Sequence, residues 1–211
     1  MKKIISLCPI QTPLDSERAY QTLSEIAMHM IFETKHRMCF GASNHIDEPR
    51  RIQNGPLIGV LRGSFPKKSD SETLLRVAAM IPLILNAQVG NCYEQSLVTM
   101  ALICQKVDEK YPHLRGTFQI ALVSIRSWHQ CLSIEMTHAP HYKCVVDPWD
   151  KRIYPFKDIH THMSQTLLKC TDQSNPFNPD IHTVTESSVL ETVLVMNSQD
   201  VTALSKAMSG Q

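Results

Sequence analysis

An α+β fold, with a buried helix packed on an antiparallel sheet, is predicted by three features of this 211-residue sequence. Apolar residues recur at helical spacing in several segments of the first 110 residues. The period then switches to two from Thr117 onward. A turn over Thr137–His141, containing Ala139-Pro140, joins two of the alternating runs as a hairpin.

The first helix is predicted over residues 12–37. Thr12 caps it with Pro13 at the first helical position, or Asp15 caps it slightly later. Tyr20, Leu23, Ala27, Met30 and Ile31 then form one apolar face. Residues 41–70 are punctuated by Gly41, Pro49, Gly55, Pro56, Gly59, Gly63 and Pro66, which predicts a long loop or short extended pieces. Residues 71–85 return to helical spacing, and Pro82 should end or kink that helix. The central helix runs from Cys92 to about Lys110, with Tyr93, Leu97, Ala101, Cys104 and Val107 on one face and Tyr111-Pro112 as its stop. Strands follow at 117–125, 129–136, 143–147 and 153–156. The tail is less patterned, with a strand at 192–196 and a short helix at 200–208. The expected organisation is a single domain over 1–211. It comprises a helical part with a long loop (1–85), a core (86–156) and an extension packed on that core (157–211).

Composition narrows the function classes. A net charge of +1 without a basic stripe argues against a nucleic-acid surface. Seven cysteines, an odd number with no CxxC pair, argue against a disulfide framework and for a reducing, cytoplasmic setting. The opening Met1-Lys2-Lys3 leads into an apolar stretch that stops by Pro9 and Gln11, too short for a secretory leader. No run of about 18 apolar residues exists, so no membrane partner is expected.

Three residues stand out chemically. Cys92 falls at the predicted N-terminus of the central helix, where the helix dipole and unpaired N–H groups favour a thiolate. Gly90 beside it permits a sharp turn. A thiol nucleophile needs an imidazole as base, and His129 opens the strand after that helix. The imidazole in turn needs an orienting group. A hairpin centred on His138 sets Asp147 directly opposite His129, at a separation suited to a hydrogen bond. Trp149, two residues on, is placed to cover that pair. Gln88 is the first choice for a side-chain donor in the oxyanion hole, with Asn86 and Asn91 as alternatives. Glu94 and Gln95 are expected to pack or cap in the first helical turn, with substrate contact as the alternative for Glu94.

The ordered set Gly90-Asn91-Cys92-Tyr93-Glu94-Gln95, Trp128-His129 and Val145-Val146-Asp147-Pro148-Trp149 resembles the papain-like and transglutaminase-like superfamily. The resemblance spans roughly residues 86–156 and is nearest to bacterial toxin and effector members. It implies a cofactor-free Cys-His-Asp enzyme that cleaves, deamidates or cross-links a protein substrate. It also implies a host protein as that substrate and export through a specialised secretion system. Trp128 and Trp149 would flank the substrate. Papain-like enzymes place their oxyanion glutamine six residues before the cysteine, whereas Gln88 lies four before Cys92.

Two other readings compete. A non-catalytic interaction module could keep the fold with Cys92 as a small buried apolar group. A metal-binding protein could use His138, His141, His160 and His162, but these lack convincing Cys or carboxylate partners, and no metal site is assigned.

Overall fold

The computed structural model describes residues 13–45, 47–67, 73–125, 129–167, 190–196, 200 and 202–205. The described residues include the helices α1 (Pro13–Arg37), α2 (Arg51–Gly63), α3 (Leu74–Ala87), α4 (Cys92–Lys110) and α5 (Ile159–Leu167), together with a five-stranded sheet. Its strands are β1 (Phe118–Ile125), β2 (His129–Met136), β3 (Ala139–Asp147), β4 (Arg152–Pro155) and β5 (Leu190–Met196). They run in the order β4-β3-β2-β1-β5 with every pairing antiparallel.

α4 is the hub of the packing. Its residues from Glu94 to Cys104, together with Val107, are all buried. A helix apolar on nearly all sides belongs inside a core rather than on a surface. α1 lies against α4 and β3, and α4 against β2. A Thr34–Thr99 hydroxyl bond of 2.7 Å joins the two helices within that core. Strand alternation sends Leu132, Ile134 and Met136 to the helical side of β2. Cys131 faces the other way, in a second cluster with Val123, Ile125, Val145, Tyr154 and Ile159 of α5.

Two helices depart from the sequence expectation. Residues 51–63 form α2 rather than loop, although they hold Gly55, Pro56, Gly59 and Gly63. Its inner face, Asn54, Ile58 and Leu61, is buried and supplies through packing what intrinsic propensity withholds. Asn54 Nδ2 also donates to the carbonyls of Phe40 and Ala42 (3.3 Å to the latter), which fastens α2 to the segment before it. Of the two outcomes expected at Pro82, an end to the helix is not what is found, since α3 continues through it to Ala87. Thr73 caps α3 through its hydroxyl, and Gln88 in the left-handed region (φ 55°) terminates it.

No atom lies within 4 Å of a Cβ built at Gly55 or Gly59. Alanine there would relieve the helix of glycine's conformational entropy without a clash. Gly55→Ala and Gly59→Ala should each raise stability by about 0.5–1 kcal/mol, measurable as an increase in Tm.

The β2–β3 hairpin corrects the expected register. Its turn is Thr137-His138, with Met136 opposite Ala139; beyond a bulge, Glu135 faces Lys143 and Leu132 faces Val146. Pro140, His141 and Tyr142 are the extra residues on β3, in keeping with proline's confinement to bulges and edges. Extending this register sets Cys131, not His129, opposite Asp147. His129 and Asp147 are therefore diagonal neighbours on one face, within reach of a side chain as long as histidine. The bulge decides this. Pairing continued straight from the turn would oppose Asp147 to position 128 and turn its carboxylate to the other face.

Candidate active site

The start of α4 is held from three sides. Asn91 is its N-cap residue, and the Glu94 carboxylate accepts the Asn91 backbone N–H at 2.9 Å. Gln95 Nε2 donates to the Gly90 carbonyl at 2.7 Å. Asn91 Oδ1 accepts from the backbone N–H (2.9 Å) and hydroxyl (3.1 Å) of Ser43. Cys92 thus occupies the first helical position, 9% exposed, where backbone N–H groups lack intrahelical partners. Gly90 is required here: an added Cβ would lie 2.4 Å from Glu94 Cβ and 2.6 Å from Met38 Cε. Gly90→Ala should cost about 1–3 kcal/mol and shift the helix start, seen as a lower Tm together with slower thiol alkylation at Cys92.

From the sheet come the other two groups. His129 Nε2 lies 2.8 Å from Asp147 Oδ2, with both residues essentially inaccessible to water. Asp147 Oδ1 accepts the Asp150 backbone N–H at 3.1 Å, which fixes the carboxylate plane. Cys92 is close enough to His129 to contribute to its raised pKa.

The electrostatics follow from this arrangement. Burial alone would lower the His129 pKa. The charge and hydrogen bond of Asp147, with smaller contributions from Cys92, outweigh burial and hold it well above the usual 6.5. Burial alone would raise the Asp147 pKa. The facing imidazole, the Asp150 N–H and the more distant Lys35 ammonium hold it below the ordinary carboxylate value. Strand cysteines show the contrast, since burial pushes Cys144 up to about 11 and Cys131 well above its usual value.

Trp149 roofs the site. It is 1% exposed, its ring meets His129 edge-on at 5.5 Å between centroids, and it packs with Cys92 and Ala42. Its indole N–H donates to Asn44 Oδ1 at 3.0 Å, and His45 lies against its other neighbour surface at 4.4 Å.

Residues 41–45, which carry no motif, therefore form one wall. They are strapped to α4 by Ser43, to the roof by Asn44, and to residues 88–90 by a Gly41–Val89 bridge and the bond from Gly90 N–H to the Gly41 carbonyl (3.1 Å). A Lys35–Glu48 ion pair of 3.5 Å anchors the far end of this wall on α1. In the sequence, the glycine and proline punctuation of residues 41–70 is the one feature that marks this region.

Other expected site residues stand elsewhere. Gln88 is an exposed C-cap whose Oε1 accepts from the Cys39 thiol at 3.3 Å, so its side chain is committed away from the nucleophile. Asn86 is exposed on α3. Asn91 adjoins Cys92, and with Oδ1 taken up by Ser43 its Nδ2 is the group available as a donor. Glu94 is fully buried in the capping box and pairs with Arg62 of α2. This corrects the alternative in which Glu94 meets substrate. Trp128 lies outside the described residues.

Among the histidines considered for a metal, His162 stacks on Tyr154, His141 lies tilted against Tyr142, and the His160 side chain lies outside the described residues. Among the described residues no three His, Cys, Asp or Glu side chains converge in a manner that could hold an ion. No helix among the described residues is long and apolar enough to cross a membrane. Comparison with protein families, curated proteins and solved structures finds no match to this chain.

Proposed function

We propose that this chain is a cysteine-dependent acyl-transfer enzyme of the papain-like and transglutaminase-like kind, acting on an amide of a protein substrate. The observation that carries this reading is the buried 2.8 Å His129–Asp147 pair, with Cys92 at the first position of a buried helix close enough to act on that imidazole. Cys92 would be the nucleophile, His129 the base and then the acid, and Asp147 the group that holds the imidazole in place.

In the first half-reaction the Cys92 sulfur bonds to the amide carbon while His129 holds the thiol proton. The developing oxyanion is met by the Cys92 backbone N–H and by Asn91 Nδ2. His129 then passes its proton to the departing amine or ammonia, and a thioester remains. Water, deprotonated by His129, releases the acid. The outcome is proteolysis for a backbone amide and deamidation for a glutamine side chain. A primary amine in place of water gives a cross-link. Trp149 keeps bulk water off the His129–Asp147 bond, which strengthens it in the lower local dielectric.

A substrate-free test is available. Iodoacetamide at pH 6 should alkylate Cys92 at least about tenfold faster than the exposed Cys39, because only an activated thiol reacts appreciably there. Equal or slower labelling at Cys92 would favour a non-catalytic module built on the same fold.

A further inference from the structure

We propose that Arg62 is a positioning residue for the nucleophile, neutralising a buried carboxylate that would otherwise oppose a thiolate at Cys92. The proposal rests on the reading of Cys92 as nucleophile given above.

Glu94 lies two residues past Cys92, with no exposed surface. Its carboxylate cannot swing away, because Oε2 accepts the Asn91 N–H that the cap requires. A helix N-terminus offers only about half an elementary positive charge. That is enough to favour one anion and too little for both a carboxylate and a thiolate. Arg62 closes the gap. Its Nε and Nη2 grip Oε1 at 2.7 Å and Oε2 at 3.0 Å, a fork-to-carboxylate geometry that a point charge cannot reproduce. The guanidinium is also within electrostatic range of Cys92 itself.

His129 and Cys131 on β2 also interact with Cys92, while Asp147 on β3 acts on His129, Tyr93 on Arg62, and Lys35 of α1 on Asp147. Arg62 and Glu94 cancel, and passing the thiol proton to His129 leaves the total charge of the site unchanged. Removing Arg62 therefore adds one net negative charge near the helix start that must carry the thiolate.

The test is the pH dependence of Cys92 alkylation by iodoacetamide on the full chain, with Cys39 as the internal reference. Arg62→Met should raise the midpoint of the labelling curve by about one pH unit. Glu94→Gln, which keeps an acceptor for the Asn91 N–H and leaves Arg62 uncompensated, should move the midpoint the opposite way. The double variant should return to within a few tenths of a unit of wild type, and Arg62→Lys should lie between wild type and Arg62→Met. A purely structural Arg62 would lower Tm without these opposed shifts.

An unchanged midpoint in both single variants, or shifts of the same sign in both, would overturn the proposal while leaving the nucleophile assignment intact. Wild-type Cys92 labelled no faster than Cys39 would overturn the nucleophile assignment itself.

Discussion

Cys92→Ala should abolish acyl transfer, by roughly a million-fold, while leaving the fold in place. The side chain is small and packs only with Ala42 and Trp149 in its cluster, so loss of the sulfur leaves a modest void at the edge of the core. On the proposed mechanism sulfur is the atom that bonds to substrate, and Cys131, fully buried with its pKa pushed up by burial, cannot stand in for it. Mass spectrometry of candidate substrate proteins incubated with wild type and variant reads the result. A gain of about one dalton marks deamidation, new fragments mark proteolysis, and joined chains marked by loss of ammonia show cross-linking. Any such change that persisted in the alanine variant would remove Cys92 from the mechanism.

Asp147→Asn should lower kcat/KM by about 10³–10⁴-fold with little change in KM, because an amide no longer favours the charged, correctly oriented imidazole. The pH behaviour separates this from a folding defect. Asp147 is what holds the His129 proton on above the usual 6.5, so the alkaline limb of the rate profile should move down towards neutrality in the variant. Stability should respond at both ends. The depressed Asp147 pKa contributes stability that is present above its unfolded value near 3.8 and is lost as pH falls through the folded value. The raised His129 pKa contributes stability that is full below about 6.5 and is lost as pH climbs through the folded value. Tm of the wild type should therefore fall below pH 3.8 and again on the alkaline side. The asparagine variant, lacking both linkages, should give a flatter curve of lower maximum. Parallel curves for the two proteins would contradict the pairing.

Local pattern carried α4 and β2 because each writes its period openly. Residues 92–110 place apolar side chains at every turn, and Leu132, Ile134 and Met136 alternate with Ser133 and Glu135. α2 left no such trace, since three glycines and a proline argue against a helix that exists only because Asn54, Ile58 and Leu61 find something to pack on. The wall at 41–45 was illegible for another reason. Its partners lie far along the chain, 48 residues away for the Ser43–Asn91 bonds and 105 for Asn44–Trp149, and no local spacing encodes them. His129 and Asp147 could be matched by hairpin arithmetic only as to face. A two-residue offset preserves the face while missing the bulge at Pro140 that sets the true register.

The helix that carries Arg62 is poorly insured against fraying. Its outward side offers Ile52 and Val60 to solvent at 83% and 71% exposure, and Gly55 and Gly59 brace against nothing. Segments of this kind open with far less free energy than the whole molecule does. Each such excursion would carry the guanidinium off and strand Glu94 beside the sulfur for as long as the helix stays open. Reactivity of the thiol at the start of α4 would then follow the opening and closing of α2.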